Sequence, residues 1–270
     1  MSQPIVSIEH VSKAFGGIRA VNDCSFSIAR GSITGLIGPN GAGKTTLFNI
    51  VAGALAPSAG RVVLDGADIT GRRTHELFAL GLVRTFQIAH EFARMTVLEN
   101  LMVVPSGQTG ESLFAAWLRW GKVQAEEARI RERAEGVLEF LRLDRLAGEL
   151  AGNLSGGQKK LLELGRAMMT EAKVVLLDEV GAGVNRTLLG ELAGHIEKLN
   201  RDQGYSFCVI EHDMDLIARL CHPVIVMAEG CVLAEGSMNE IKANEAVIEA
   251  YLGSRAAHRA GGHRAEGRRR

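Results

Sequence analysis

No run of uncharged apolar residues in the 270-residue chain approaches the ~18–20 that a bilayer-spanning helix needs. The chain is therefore not a channel by itself. Its opening, MSQPIVSIEH, lacks a basic stretch followed by an apolar run, so no signal peptide is expected and the cytoplasm is the expected compartment. Cysteine is scarce: Cys24, Cys208, Cys221 and Cys231 form no CxxC pair and no zinc spacing with histidine. They are expected as free thiols of a reducing compartment, packed as small apolar residues. No internal repeat is present, and apolar content is too high for a disordered chain.

Net charge is absent too, with 31 basic against 31 acidic residues, but the balance conceals an asymmetry. Residues 254–270 hold six arginines and one glutamate, which leaves 25 basic and 30 acidic residues in 1–253. An acidic body carries a basic tail, expected as solvated and disordered; attraction of the tail to anionic lipid or nucleic acid is the alternative. What the chain does have is glycine, 32 residues, which points to tight turns and close backbone approaches.

The organisation reads as α/β. Ile5–Glu9 alternates, Phe26–Ile28 follows, and Ile33–Ile37 has the apolar character of a buried strand running into a glycine-rich turn. A helix is expected over Thr45–Ala52 and a strand from Arg61 to the turn at Gly66. From about 74 to 170 the pattern is helical; Ile130, Ala134, Val137, Leu138 and Leu141 share one helix face. Lys173–Asp178 and Phe207–Glu211 restore parallel-sheet character, with a helix at 187–201 between them. Strands at Val224–Met227 and Val232–Ala234 precede a last helix from about 238 to 252.

Gly38-Pro39-Asn40-Gly41-Ala42-Gly43-Lys44-Thr45 matches G-x-x-x-x-G-K-[ST] in full, after an apolar strand and at the start of a helix. Such a loop turns backbone N–H groups onto phosphate oxygens, and the helix N-terminus adds partial positive charge. Lys44 is then placed for β- and γ-phosphates and the Thr45 hydroxyl for Mg2+, with Thr46 next to it. Asp178, closing an apolar strand, suits the second magnesium contact, and Glu179 is free to polarise a water. Two adjacent carboxylates at the mouth of such a strand are costly without a nearby cation.

Leu154-Ser155-Gly156-Gly157-Gln158, taken with the phosphate loop and Leu177-Asp178-Glu179, resembles the signature of the ATP-binding-cassette (ABC) ATPases. Ser155 and two glycines before a helix starting near Gln158 make a second anion-directed turn. The resemblance implies a RecA-like P-loop core with an N-terminal antiparallel β subdomain and an inserted α-helical subdomain, about 88–165, within a cassette spanning 4–253. It implies head-to-tail pairing with a second cassette, identical or similar. Each ATP would then lie between one phosphate loop and the partner's Ser155, Gly156, Gly157 and Gln158. Phe15 falls where the family stacks an aromatic on adenine, a core phenylalanine being the other reading. Gln87 matches the glutamine that touches Mg2+ and the attacking water, and His212 the histidine that contacts the γ-phosphate. Ala182-Gly183-Val184-Asn185 matches the loop facing the partner cassette. Two positions depart from the family: Val180 stands where proline is usual, which leaves the turn after the strand less fixed, and Asn185 where aspartate is more frequent. Lys159 and Lys160 are expected on a solvated helix face.

Within the family, Gly81–Gln87, Met95–Asn100, the segment after Pro105, Glu211–Met214 and Val247–Gly253 resemble cassettes of branched-chain amino acid importers. The implied activity is ATP hydrolysis at the cytoplasmic face of the inner membrane. It would drive uptake of branched-chain or other hydrophobic amino acids through two permease subunits, with a periplasmic binding protein acting indirectly and no nucleic acid. Urea or amide import, export, and a soluble nucleic-acid- or ribosome-associated ATPase are the alternatives; a P-loop kinase is opposed by Leu154–Gln158. Ser112–Trp120 is expected to pack on the helical subdomain, docking on a permease or the membrane surface being the alternative.

Overall fold

The computed structural model describes residues 4–85, 91–106, 108 and 120–252. In chain order the elements are β1 (Pro4–Phe15), β2 (Ile18–Ala29), β3 (Ile33–Ile37), α1 (Lys44–Val51), β4 (Ala59–Leu64), β5 (Ala67–Asp68), α2 (Thr74–Ala79) and β6 (Leu82–Arg84). There follow α3 (Val97–Met102), α4 (Trp120–Phe140), α5 (Gly156–Met168), β7 (Val174–Asp178) and α6 (Arg186–Gln203). The rest is β8 (Ser206–Ile210), α7 (Met214–Leu220), β9 (Val224–Ala228), β10 (Cys231–Gly236), α8 (Met238–Ala243) and a helix over 245–252, α9. Two compact units result. One is formed from Met1–Arg84, Lys173–Glu179 and Glu197–Arg270, the other from Thr85–Ala172 and Val180–Ile196.

The first unit holds two sheets. Four antiparallel strands run in the order β2-β1-β4-β5. In the β1–β2 hairpin, Val6, Ile8 and Val11 are buried with Cys24, Phe26 and Ile28. The period-2 pattern slips where His10 and Asp23 take left-handed φ of 53° and 49°; their side chains meet at 2.7 Å. That slip is why only fragments of two twelve-residue strands read as strands in the sequence. The second sheet runs β10-β9-β3-β8-β7-β6, with β9, β3, β8, β7 and β6 parallel and β10 antiparallel at one edge. Every residue of β3, β7 and β8 is buried, as near-continuous apolar runs in a parallel sheet require. Cys24, Cys208 and Cys221 are buried here as thiols, and burial pushes Cys24 and Cys221 up to about 12.

Two sequence expectations change. The helical reading of 74–170 is interrupted by β6, three residues paired with Val174–Leu176 and too short to show a period. The last helix is two helices, because Asn244 turns extended (ψ 114°) between α8 and α9.

In the second unit, Ala134, Val137, Leu138 and Leu141 are buried, as their spacing predicts, and Ile130 is half-buried. Thr96 caps α3 in a reciprocal capping box with Glu99. Arg133 of α4 donates to the carbonyls of Met168 (2.7 Å) and Thr170 (3.0 Å), holding the end of α5. No helix among the described residues is long and apolar enough to cross a membrane.

Candidate functional site

The carboxyl ends of β3, β7 and β8 carry the phosphate loop, Asp178-Glu179 and Glu211-His212, the place where open parallel sheets gather ligands. Gly38 and Gly43 cannot be other residues in this loop. Their φ values are +149° and +96°, and a Cβ would stand 2.1 Å from the Met227 carbonyl oxygen or 2.2 Å from that of Ala20. Gly43 is the residue before α1, so the loop delivers Lys44 and Thr45 as its first helical positions. Lys44 is buried, and its ammonium donates to the carbonyls of Gly38 (2.7 Å) and Pro39 (3.0 Å). Burial lowers its pKa, while the carboxylates of Glu179 and Asp178 pull the other way. Ala42 is buried, Pro39 and Thr46 are half-buried, and Asn40, Gly41 and Thr45 are exposed.

Asp178 is 3% exposed and receives Arg84 Nη2 on Oδ2 at 2.7 Å. Arg84 also donates to Asn49 of α1, so one guanidinium spans two of the site's elements. Glu179 takes a left-handed φ of 50°, which costs a β-carbon residue of order 1–3 kcal/mol. Two contacts hold it: its N–H donates to the Ile210 carbonyl at 2.9 Å, and its Oε1 lies 3.0 Å from His212 Nε2. The strand exit is therefore tied by hydrogen bonds, and Val180 after it is buried. His212 donates its N–H to Glu211 Oε2 at 3.2 Å. Phe15, at the end of β1, is 50% exposed with the Lys13 ammonium 5.4 Å from its ring centre, so it is not a core residue. Gln87 lies outside the described residues, as do residues 112–119 and the basic tail.

In the second unit Ser155 caps α5. Its Oγ accepts the Gln158 N–H at 3.4 Å, and Gln158 Oε1 accepts the Ser155 N–H at 2.9 Å. A Cβ on Gly157 would meet Leu188 Cδ2 at 2.0 Å, whereas one on Gly156 would find only the Gly183 carbonyl at 3.9 Å. Asn185 Oδ1 accepts the Leu188 N–H at 2.9 Å at the start of α6, a cap that asparagine makes as well as aspartate. The solvated reading of Lys159-Lys160 is corrected. Lys160 is buried beside Glu163, and Lys159 pairs with Glu91 at 2.7 Å, because this face of α5 turns inward.

A family model described as ABC transporter matches residues 21–182. The chain belongs to the ABC transporter ATP-binding cassettes. A second model, the branched-chain amino acid ATP-binding cassette transporter, matches 231–257. The cassette is 45% identical over 251 residues to a probable branched-chain amino acid transport ATP-binding protein LivG of Archaeoglobus fulgidus, covering 93% of this chain and 96% of that one. It is 36% identical over 253 residues to the high-affinity branched-chain amino acid transport ATP-binding protein BraF of Pseudomonas aeruginosa, covering 94% and 99%. The ADP conformation of the cassette MJ1267 superposes with a TM-score of 0.79 at 37% identity, covering 93% and 100%. The fold is thus the RecA-like α/β fold of ATP-hydrolysing cassettes.

Sequence reading of the cassette missed Arg84. It closes a three-residue strand, and nothing local marks it as the partner of a carboxylate 94 positions away. A lone arginine ending an apolar run towards a buried sheet was the available signal, since such a charge needs a partner.

Proposed function

We propose that this cassette is the peripheral ATPase subunit of an importer of branched-chain amino acids, working at the cytoplasmic face of the inner membrane. The observation carrying the reading is likeness to branched-chain cassettes over more than nine-tenths of both chains, joined to the branched-chain match at 231–257. ATP phosphates lie against the Gly38–Gly43 backbone, and an anion there compensates the buried Lys44 ammonium. Phe15 stacks on adenine. Thr45 and Asp178, oxygen donors of the hard kind Mg2+ takes, would hold that ion with Gln87; when bound it neutralises phosphate charge. Their fit is one of place: Thr45 opens α1 next to the buried Lys44, and Asp178, whose carboxylate acts on that ammonium, closes β7.

Glu179 polarises the attacking water, and His212, hydrogen-bonded to it, reads the γ-phosphate. Ser155, Gly156, Gly157 and Gln158 complete the site of a second cassette, so hydrolysis is positioning and charge stabilisation assembled on pairing. The helical unit, with Gln87, passes closure to two permease subunits supplied by a periplasmic binding protein. The test is reconstitution with those subunits in proteoliposomes. Leucine uptake is expected to require internal ATP and to vanish in Lys44→Ala; uptake of urea but not leucine contradicts the substrate.

A further inference from the structure

Arg84 is the last residue of β6 and stands opposite Leu176 of β7. Side chains two residues apart on a strand share a face, so Arg84, Leu176 and Asp178 project from one side of the sheet. The Arg84 side chain is 9% exposed, and its guanidinium reaches two elements. Its Nη2 donates to Asp178 Oδ2 at 2.7 Å, and its Nη1 donates to Asn49 Oδ1. Asn49 is half-buried in α1, four residues after Thr45, and residues so spaced lie on one helix face. One planar fork thus bridges the strand that presents the Asp178 carboxylate and the helix face that presents the Thr45 hydroxyl. All four residues belong to the first unit.

No strand ladder joins these two elements directly, because β8 lies between β7 and β3, the strand that leads to α1. The spacing of Thr45 and Asp178 is therefore open to control by a side chain, and Arg84 reaches both elements. That spacing matters for the choice of ion. Mg2+ demands near-ideal octahedral geometry, whereas the larger Ca2+ accepts a flexible set of oxygens. Groups that orient metal ligands from behind affect metal affinity in their own right. We propose that Arg84, anchored on Asn49, is a positioning residue that fixes the spacing of the Thr45 and Asp178 oxygens and so selects Mg2+ over larger divalent cations at the nucleotide. Arginine suits the task, since its donors form a rigid planar fork; a lysine ammonium is a point charge on a flexible stem. The inference rests on the nucleotide and metal site proposed above.

The experiment titrates the full-length chain with N-methylanthraniloyl adenylyl imidodiphosphate, a fluorescent ATP analogue that is not hydrolysed. Titrations are run in Mg2+, in Ca2+ and in EDTA, and Tm is recorded. Parent, Arg84→Lys, Asn49→Ala and Lys44→Ala are compared. The parent is expected to bind most tightly in Mg2+. Arg84→Lys keeps a charge facing Asp178 and loses the fork; Asn49→Ala keeps the ion pair and frees it from α1. They are expected to weaken binding in Mg2+ about 10-fold and about 3-fold, with affinities in Ca2+ and EDTA within about twofold of the parent's. Asn49→Ala leaves the buried pair in place and carries the test if Arg84→Lys does not fold. A merely structural role would lower Tm and leave the ratio of Mg2+ to Ca2+ affinity unchanged. A parent-like ratio in either folded variant overturns this inference alone. Equal affinity of the parent in Mg2+ and EDTA overturns the metal site beneath it, and parent-like binding by Lys44→Ala overturns the nucleotide site.

Discussion

Arg84 and Asp178 form a buried ion pair, 9% and 4% exposed at their side chains, in which each charge depends on the other. Truncating one partner of such a pair leaves an uncompensated charge in low dielectric. Arg84→Ala is therefore expected to lower the unfolding free energy by about 3–5 kcal/mol in urea titrations. The double variant Arg84→Ala with Asp178→Asn, which removes both charges of the pair, is expected to regain part of that loss. A change below about 1 kcal/mol in the single variant would contradict the pairing. The contrast with the motif residues shows what a sequence can reveal. Gly38, Lys44, Thr45, Ser155 and Gln158 are placed by local backbone geometry, so their spacing announces them. Arg84 acts through a partner brought near by the pairing of β6 with β7. The left-handed Glu179 was equally hidden, because no side chain announces its own φ.

Elements whose ends are set by caps and glycines were legible: α1 behind Gly43, α5 behind Ser155, and the buried runs of β7 and β8. The hairpin was not, since repeated register shifts interrupt its alternation, and β6 was not, since three residues hold no period. Within α5 two glycines differ in what surrounds them. A Cβ on Gly165 would meet Leu141 at 2.8 Å and both Leu101 and Val137 at 3.2 Å, all buried side chains. Gly165→Ala is expected to cost about 1–3 kcal/mol by overpacking, despite alanine's helix preference. Gly156→Ala, with open space around it, is expected to leave the stability of the isolated chain within about 0.5 kcal/mol and to lower ATPase activity. Thermal unfolding of both variants checks this contrast, and a stabilised Gly165→Ala would break it.

At the scale of the whole molecule, two turns that we propose to face phosphate sit on one chain. One is the loop at the end of β3 in the first unit, and the other is the capped start of α5 in the second. One nucleotide per chain then leaves one turn for a partner cassette, which is why the chemistry is read as that of a pair. The balanced net charge contributes nothing to this; the proposed phosphate chemistry resides in short turns whose charges are local. The central claim is that Glu179, held by Ile210 and His212, is the group that turns nucleotide binding into hydrolysis. Phosphate release by Glu179→Gln at saturating Mg-ATP tests it most directly. Turnover is expected to fall by about 10²–10⁴-fold, the usual worth of a general base, with nucleotide affinity retained. Turnover near the parent rate would contradict it.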